Sequence, residues 1–188
     1  NHIKNYYMKI VATIEARMTS RRLPGKVIMK IKKKTLLEYL VERLKKVKEL
    51  DEIILCTTKN HTDDILVKKA QDLNIKYFRG SENNVLNRVV SAAKKFKTDV
   101  VVQITGDCPI IDYKIIKKAI MIYKKNKYDC VSNSFIRSFP DGMDVSVLNV
   151  KSLNKINILA KKKIYKEHVT LFIKENPKIF KIKNFISN

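Results

Sequence analysis

Strand-length apolar runs alternate with helix-length amphipathic segments along this chain, and the alternation constrains the fold more than any other feature of the sequence. The runs typical of strands cover residues 10–16, 52–58, 75–80, 99–107, 128–133, 143–149 and 178–186. The segments typical of helices cover residues 35–50, 62–74, 84–96, 113–125, 152–163 and 166–176. Strands joined through helices need crossover connections, which are right-handed and favour parallel pairing. The sequence therefore predicts an α/β protein with a mainly parallel sheet.

Capping residues mark the starts of two of these predicted helices. Thr35 is followed three residues later by Glu38, which is the spacing of a capping box. Asp112 stands directly before the segment 113–125, where an aspartate is a favourable N-cap. Both signals predict that a helix begins at these points.

The length and the cysteines bound the class of protein. The 188 residues are enough for one domain with its own core, so we expect a single domain over residues 1–188, with residues 1–7 as a short extension before Met8. No run reaches the ~18 apolar residues of a membrane span, and the N-terminal residues have no apolar region typical of a signal peptide. The three cysteines lie far apart, which predicts free thiols in a cytoplasmic protein.

The charge of the chain raises nucleic acid as a partner. The 40 basic residues exceed the 18 acidic ones, giving a net charge of +22, and a strongly basic domain is typical of nucleic-acid binding. The lysines, however, are spread over almost every predicted helix instead of forming one basic face. We therefore expect no nucleic-acid partner, and a basic nucleic-acid-binding domain stays an alternative.

The sequence "ARMTSRRLPGK", residues 16–26 and called the basic loop below, follows the first predicted strand. It is not a Walker A loop, because Ser20 and Val27 stand where that motif needs glycine and serine or threonine. Arg17, Arg21 and Lys26 could converge on a polyanion, since guanidinium groups bind phosphate in a bidentate manner and lysine adds a point charge. The two open interpretations are a phosphate-binding loop and an exposed basic turn.

A second polar element, "TGDCP", follows the most apolar predicted strand and contains Asp107. Mg²⁺ prefers one or two protein carboxylates, with phosphates and waters as the remaining ligands. A turn cap before Pro109 is the alternative role for Asp107. Because ligands bind beyond the carboxyl ends of parallel strands, we expect Asp107 and the basic loop to lie at the same edge of the sheet.

Two further segments contain polar residues with open roles. Asp141 lies in a Pro-Asp-Gly turn signal and so has a structural interpretation beside a functional one, and Asp144 opens a predicted strand. His168 is isolated from the other two histidines, which argues against a histidine metal site and favours a packed or hydrogen-bonded side chain.

Five segments in this order, "ARMTSRRLPGK", "FRGSENNVLNRV", "ITGDCPIID", "PDGMDVSV" and "KEHVTLFIKENP", resemble the cytidylyltransferase family of spore-coat polysaccharide biosynthesis protein F. That family is related to the synthetases that activate sialic acid, legionaminic acid and Kdo with CTP. The resemblance runs from about residue 9 to residue 184. It implies the three-layer α/β/α sandwich of the nucleotide-diphospho-sugar transferases.

The resemblance also implies roles for individual residues. Arg17, Lys26 and Asp107 would be catalytic, with Asp107 as the metal ligand. The residues matching the nucleotide-binding segments are Ala16, Arg17, Ser20, Arg21, Lys26, Arg79, Ser81, Asn84 and Arg88. The residues matching the segments that close over the sugar are Asp141, Asp144, Glu167 and His168.

The implied reaction joins CTP, or another nucleoside triphosphate, to a sugar with Mg²⁺ as cofactor and releases pyrophosphate, for cell-surface polysaccharide or glycan synthesis. Relatives often form dimers, so a homodimer is one of the oligomeric states that the resemblance leaves open. A glycosyltransferase on a similar fold is an alternative, although the Asp-x-Asp motif usual in that class is absent. Thr19 stands where the family usually has glycine, and Ser146 stands where an acid is expected. Relatives continue into a further strand and an acidic segment, so we expect the C-terminal part of the family domain to be absent from these residues.

Overall fold

The computed structural model describes residues 7–20 and 22–187. The strands in chain order are β1 (Ile10–Glu15), β2 (Lys30–Ile31), β3 (Lys34–Thr35), β4 (Glu52–Thr58), β5 (Lys76–Gly80), β6 (Val100–Thr105), β7 (Cys130–Ser132), β8 (Ser146–Asn149) and β9 (Ile182–Asn184). The α-helices are α1 (Leu36–Leu44), α2 (Asp64–Asp72), α3 (Val85–Lys95), α4 (Tyr113–Lys125), α5 (Val150–Leu159), α6 (Lys163–Glu167) and α7 (Leu171–Glu175).

The described residues form a seven-stranded sheet in the order β5-β4-β1-β6-β8-β7-β9, with β2 and β3 as a separate antiparallel pair. Neighbouring strands are parallel from β5 to β6, β8 is antiparallel to both of its neighbours, and β9 is parallel to β7. The chain runs outward from β1 to β4 and β5 and then returns to the other side of β1 as β6. This change of direction is the position at which open α/β sheets bind ligands.

Helices cover both faces of the sheet and form the predicted three layers. Alternate residues of β1 point to opposite faces. Ile10, Ala12 and Ile14 pack in one core with α1, α2 and α4. Val11 packs with Ile54 of β4 against α3, and α5 and α7 continue that second layer. The strands pair mainly in parallel, and helices lie on both faces of the sheet. Both observations confirm the predicted α/β/α sandwich.

Most predicted elements are present with shorter bounds. The capping box is confirmed, because Glu38 N donates to Thr35 Oγ1 at 3.2 Å while Thr35 N donates to the Glu38 carboxylate at 2.5 Å. The N-cap at Asp112 is confirmed by a 2.9 Å hydrogen bond from Lys114 N. Three helix predictions were wrong in extent. The predicted helix 152–163 is α5, which begins at Val150 and ends at Leu159, and Lys163 already belongs to α6. The first helix ends at Leu44 instead of residue 50, and the segment 166–176 is not one helix, because the extended backbone of His168 separates α6 from α7.

Cys56, Cys108 and Cys130 are buried free thiols, as predicted. Within the described part of the chain, no helix combines the length and the apolar character needed to cross a membrane.

Candidate active site

A cavity of about 580 Å³ opens at the carboxyl ends of β1 and β6. The predicted site residues that line it are Ala16, Arg17, Ser20, Lys26, Arg88, Asp107, Asp144, Glu167 and His168. They come from the basic loop, α3, the end of β6, the start of β8 and the junction of α6 with α7. The expectation that the basic loop and Asp107 share one sheet edge is therefore confirmed.

The basic loop is folded by its own turn and by one buried acid. Gly25 adopts a left-handed conformation with φ of +69°, and its N–H donates to Met18 O at 2.8 Å. Met18 N in turn donates to Asp63 Oδ1 at 2.8 Å. Asp63 is fully buried and also accepts hydrogen bonds from Thr57 and Thr58. Asp63 therefore fixes the described part of the basic loop to the end of β4.

Lys26 and Asp107 meet directly in the cavity. Lys26 opens a short 3₁₀ turn, and its Nζ lies 2.6 Å from Asp107 Oδ2. Burial alone would raise the pKa of Asp107, but hydrogen bonds from Lys26 and Thr105 outweigh that effect and lower the pKa. Asp107 is therefore ionised near neutral pH, with Lys26 as its counter-charge. Gly106, the preceding residue, lets the turn after β6 pack closely against the end of β1, because a Cβ there would lie 3.0 Å from both Ala16 Cβ and Glu15 O.

Arg17 is held by an acid from the loop between β5 and α3. Its Nη1 lies 3.3 Å from Glu82 Oε1, and Thr19 Oγ1 donates to the same oxygen at 2.5 Å. Hydrogen bonds from Thr19 and then Asn60 are the largest causes that lower the pKa of Glu82. Thr19, which stands where the resemblance predicts glycine, therefore ties the basic loop to the segment before α3.

Arg88 lies beneath the cavity and is only 2% exposed. Its Nη1 donates to Ser81 O at 2.5 Å, whereas its Nε has no hydrogen-bond partner within the described structure. Desolvation lowers the pKa of this guanidinium. A Cβ at Gly80 would lie 2.8 Å from Arg88 Cγ, so glycine at that position makes room for the buried side chain.

The opposite wall of the cavity consists of exposed Glu167 and His168 from the end of α6, and of Asp144 before β8. Asp144 Oδ2 lies 3.4 Å from Arg137 Nη2. Arg137 also pairs with Asp141, which is itself exposed and does not line the cavity.

The structure does not bring every predicted residue into the cavity. Arg79 donates hydrogen bonds to Thr58 O and Asn60 O and forms an ion pair with Asp64. It therefore stabilises the loop after β4 instead of lining the cavity. Ser81 receives the Arg88 hydrogen bond through its carbonyl, and Asn84 caps α3. Arg21 lies outside the described residues. The predicted roles of Arg79, Ser81, Asn84, Asp141 and Arg21 stay predictions.

The polar residues of the cavity that the sequence analysis missed include Glu15 and Gln103. Gln103 Nε2 donates to Glu15 Oε2 at 2.6 Å. The signal was available, because Glu15 is a charged residue at the carboxyl end of an otherwise apolar strand, the position where parallel sheets place functional side chains.

The donor set at Asp107 bears on the magnesium prediction. Among the described residues, no group of three or more histidine, cysteine, aspartate or glutamate side chains is placed to hold a metal ion. One carboxylate is nevertheless enough for Mg²⁺ when phosphates and waters complete its coordination. The residues therefore fit a metal ion that arrives together with a phosphate ligand, and they do not form a metal cage of their own.

Comparison with known proteins identifies the family. The sequence model described as Cytidylyltransferase matches residues 11–187, which is nearly the whole chain. The chain belongs to the cytidylyltransferase family. The resemblance and the enzyme class predicted from the five motifs are thereby confirmed.

Two curated relatives cover most of this cytidylyltransferase. An uncharacterized protein of Methanocaldococcus jannaschii is 42% identical over 175 residues, covering 93% of this chain and 71% of the relative. The spore coat polysaccharide biosynthesis protein SpsF of Bacillus subtilis is 34% identical over 178 residues, covering 92% of this chain and 73% of the relative.

Solved structures show the same fold. A cytidylyltransferase from Leptospira borgpetersenii superimposes with a TM-score of 0.94 at 33% identity, covering 97% of this chain and 77% of that one. A CMP:2-keto-3-deoxy-manno-octonic acid synthetase complexed with CTP superimposes with a TM-score of 0.71 at 17% identity, covering 95% of this chain and 90% of that one. The second likeness is one of fold alone.

Proposed function

We propose that this protein transfers the CMP group of CTP to a sugar and releases pyrophosphate, in the synthesis of a cell-surface polysaccharide or glycan. One observation carries the proposal. In a member of the cytidylyltransferase family, Arg17, Lys26 and Asp107 line one cavity at the carboxyl edge of the sheet. Family membership favours this reaction over the glycosyltransferase and nucleic-acid-binding alternatives.

The cations of the basic loop would bind the phosphates of the nucleotide. Lys26 and Arg17 are each paired with an acid, so they would exchange Asp107 and Glu82 for phosphate oxygens. Positive groups placed at the β- and γ-phosphates stabilise the charge that develops on the leaving pyrophosphate. The protein needs no covalent intermediate, because positioning and charge neutralisation supply this chemistry.

Asp107 would hold Mg²⁺ once the phosphate ligand has separated it from Lys26. When bound, the metal ion supplies charge neutralisation at the α-phosphate. Asp144, Glu167 and His168 would then surround the sugar. A cytoplasmic location and a homodimer belong to this proposal as well.

The nucleotide half can be tested without knowing the sugar. A thermal-shift screen of CTP, GTP, UTP and ATP with Mg²⁺ should show the largest stabilisation with CTP, because a specific ligand raises the stability of the folded state by mass action. Equal shifts with all four nucleotides, or none, would contradict the proposed CTP preference.

The roles of the two central residues can be tested by kinetics. Lys26→Ala and Asp107→Ala should each lower kcat/KM for pyrophosphate release by at least ~100-fold, as expected for loss of a charge-stabilising group. Lys48→Ala and Asp72→Ala, at exposed positions away from the cavity, are the matched controls. Near-normal pyrophosphate release by either cavity variant would contradict the proposed role of the substituted residue.

A further inference from the structure

Glu15 occupies a position in the cavity that the proposed roles leave unused. It is the last residue of β1, paired in register with Thr105 of β6 and Cys56 of β4. Its backbone carbonyl accepts a 2.9 Å hydrogen bond from Gly106 N, the residue before Asp107. The next residues along the chain are Ala16 and Arg17 of the basic loop. Glu15 therefore stands between the two elements that would hold the triphosphate.

The Glu15 carboxylate has free acceptor capacity facing the cavity. Thr13 Oγ1 donates to Oε1 at 2.9 Å, and Gln103 Nε2 donates to Oε2 at 2.6 Å. Each carboxylate oxygen can accept more than one hydrogen bond. The described structure gives Glu15 no ion-pair partner, whereas Asp107, Glu82 and Asp144 each have one.

The surroundings of Glu15 favour proton uptake near neutral pH. Desolvation raises its pKa from 4.5 to about 7, and the hydrogen bonds from Gln103 and Thr13 offset only part of that effect. The charged or titratable neighbours are the Arg88 guanidinium from α3, which lowers the pKa of Glu15, and the Cys56 thiol from β4. The pKa of Cys56 is strongly raised by burial, so that thiol stays neutral.

A row of polar side chains continues from Glu15 across the floor of the cavity. Gln103 of β6 is in register with Thr13 on one side and with Ser146 of β8 on the other. Ser146 Oγ lies 2.8 Å from Ser132 Oγ of β7. Position 146 is the one at which the resemblance predicts an acid. In this chain position 146 is a serine, and the carboxylate beside Gln103 is that of Glu15 on β1. The floor of the cavity therefore contains one acid, on β1 instead of β8.

We propose that Glu15 is a further catalytic residue, whose carboxylate accepts the proton of the attacking sugar hydroxyl. As the hydroxyl oxygen forms its bond to the α-phosphorus, the bond from that phosphorus to the bridging oxygen breaks and pyrophosphate leaves with that electron pair. The hydroxyl proton passes to Glu15 and then to solvent. A sugar phosphate would attack with an oxygen that is already anionic, so the proposal specifies a hydroxyl acceptor. It rests on the proposed function.

The test compares wild type with Glu15→Gln, which keeps the shape of the side chain and can still accept from Gln103 Nε2 while donating to Thr13 Oγ1, but cannot accept the proton. CTP affinity is measured by calorimetry, and turnover is measured as pyrophosphate release with CTP, Mg²⁺ and each of Kdo, sialic acid and water as hydroxyl acceptor. We expect CTP affinity within about twofold of wild type and turnover lower by about 100-fold, the size of a general-base contribution. Asp72→Asn is the control for loss of an exposed carboxylate.

The pH profile distinguishes a base from a structural residue. Wild-type kcat should rise with pH between about 6 and 8 as Glu15 becomes ionised, and Glu15→Gln should lose this rise. The wild-type profile decides even if the variant does not fold, because a profile that is flat over this range would contradict the proposal.

A double variant tests the position of the carboxylate. Glu15→Gln combined with Ser146→Glu places the acid on the other side of Gln103. We expect the turnover of this double variant to be at least tenfold higher than that of Glu15→Gln. The turnover of Ser146→Glu alone should not exceed that of wild type. If wild type does not bind CTP, the proposed function fails. The Glu15 proposal is overturned by any of three results. Wild type binds CTP but turns over no hydroxyl acceptor, Glu15→Gln matches wild type in turnover, or the double variant shows no higher turnover than Glu15→Gln.

Discussion

Replacing Glu15 with glutamine should make the protein more stable at neutral and alkaline pH, although the side chain lies in the candidate active site. The pKa of Glu15 is raised from 4.5 to about 7 in the folded state, chiefly by desolvation. The folded state therefore holds this proton more tightly than the unfolded state does. Glutamine fills the same space with no charge to desolvate.

The magnitude follows from proton linkage. Between 4.5 and about 7 the folded protein binds the Glu15 proton and the unfolded chain does not, so the wild type loses stability as the pH rises through this interval. The interval spans about 2.5 pH units at about 1.4 kcal/mol each, which gives about 3 kcal/mol. This is an upper value, because the carboxylate is partly open to water in the cavity and solvent screens its charge.

The assay is urea unfolding of wild type and Glu15→Gln from pH 4 to pH 8.5. We expect the free energies of unfolding to agree near pH 4, to diverge in favour of the variant between pH 5 and pH 7, and to stay about 3 kcal/mol apart or less above that range. Asp72→Asn, at an exposed position away from the cavity, is the control for removal of a carboxylate. A difference that does not change with pH, or a wild type that is more stable at pH 8, would refute the reasoning.

Two other substitutions test how the cavity is supported. Gly80→Ala should lower the free energy of unfolding by about 1–3 kcal/mol, because the added Cβ would overlap Arg88 Cγ in a packed site; an unchanged urea midpoint would show that Arg88 can move aside. Asp63→Asn should cost about 1–3 kcal/mol at pH 7, because a buried acceptor of hydrogen bonds from Met18 N and Thr58 is weakened. The difference in free energy of unfolding between wild type and Asp63→Asn should shrink as the pH falls below the ordinary carboxyl range. The hydrogen bonds of Asp63 lower its pKa against the opposing effect of burial, so their stabilisation is lost only when this carboxylate becomes protonated. A difference that persists in that range would contradict the electrostatic reason.

The elements with strong local signals could be predicted from the sequence. β1 and β4 have the predicted apolar runs, and α1 begins at the capping box of Thr35. The shared position of the basic loop and Asp107 also followed from one rule, that the carboxyl ends of parallel strands lie at the same edge of a sheet. Local patterns and a topological rule were sufficient for these features.

The remaining features depend on contacts that no local pattern records. The β2–β3 pair was not predicted, because it is two residues long on each side and turns through the left-handed Lys32. The break between α6 and α7 was missed because the sequence around His168 contains neither proline nor glycine. The surroundings of Glu15 could not be predicted, because Gln103 and Arg88 are distant in sequence and lie beside it only in the fold.

The ion pairs of Lys26 with Asp107 and of Arg17 with Glu82 also set how the cavity meets a ligand. Despite the excess of basic residues over the whole chain, both of these cations already have an internal counter-ion. A simple anion such as sulfate would have to break a pair to bind and would leave an acid uncompensated. A triphosphate that carries its own divalent cation supplies both partners at once, because its oxygens can pair with Lys26 and its cation can pair with Asp107. Under the proposed function, the cavity is therefore selective for a nucleotide that carries its divalent cation over the bare anion.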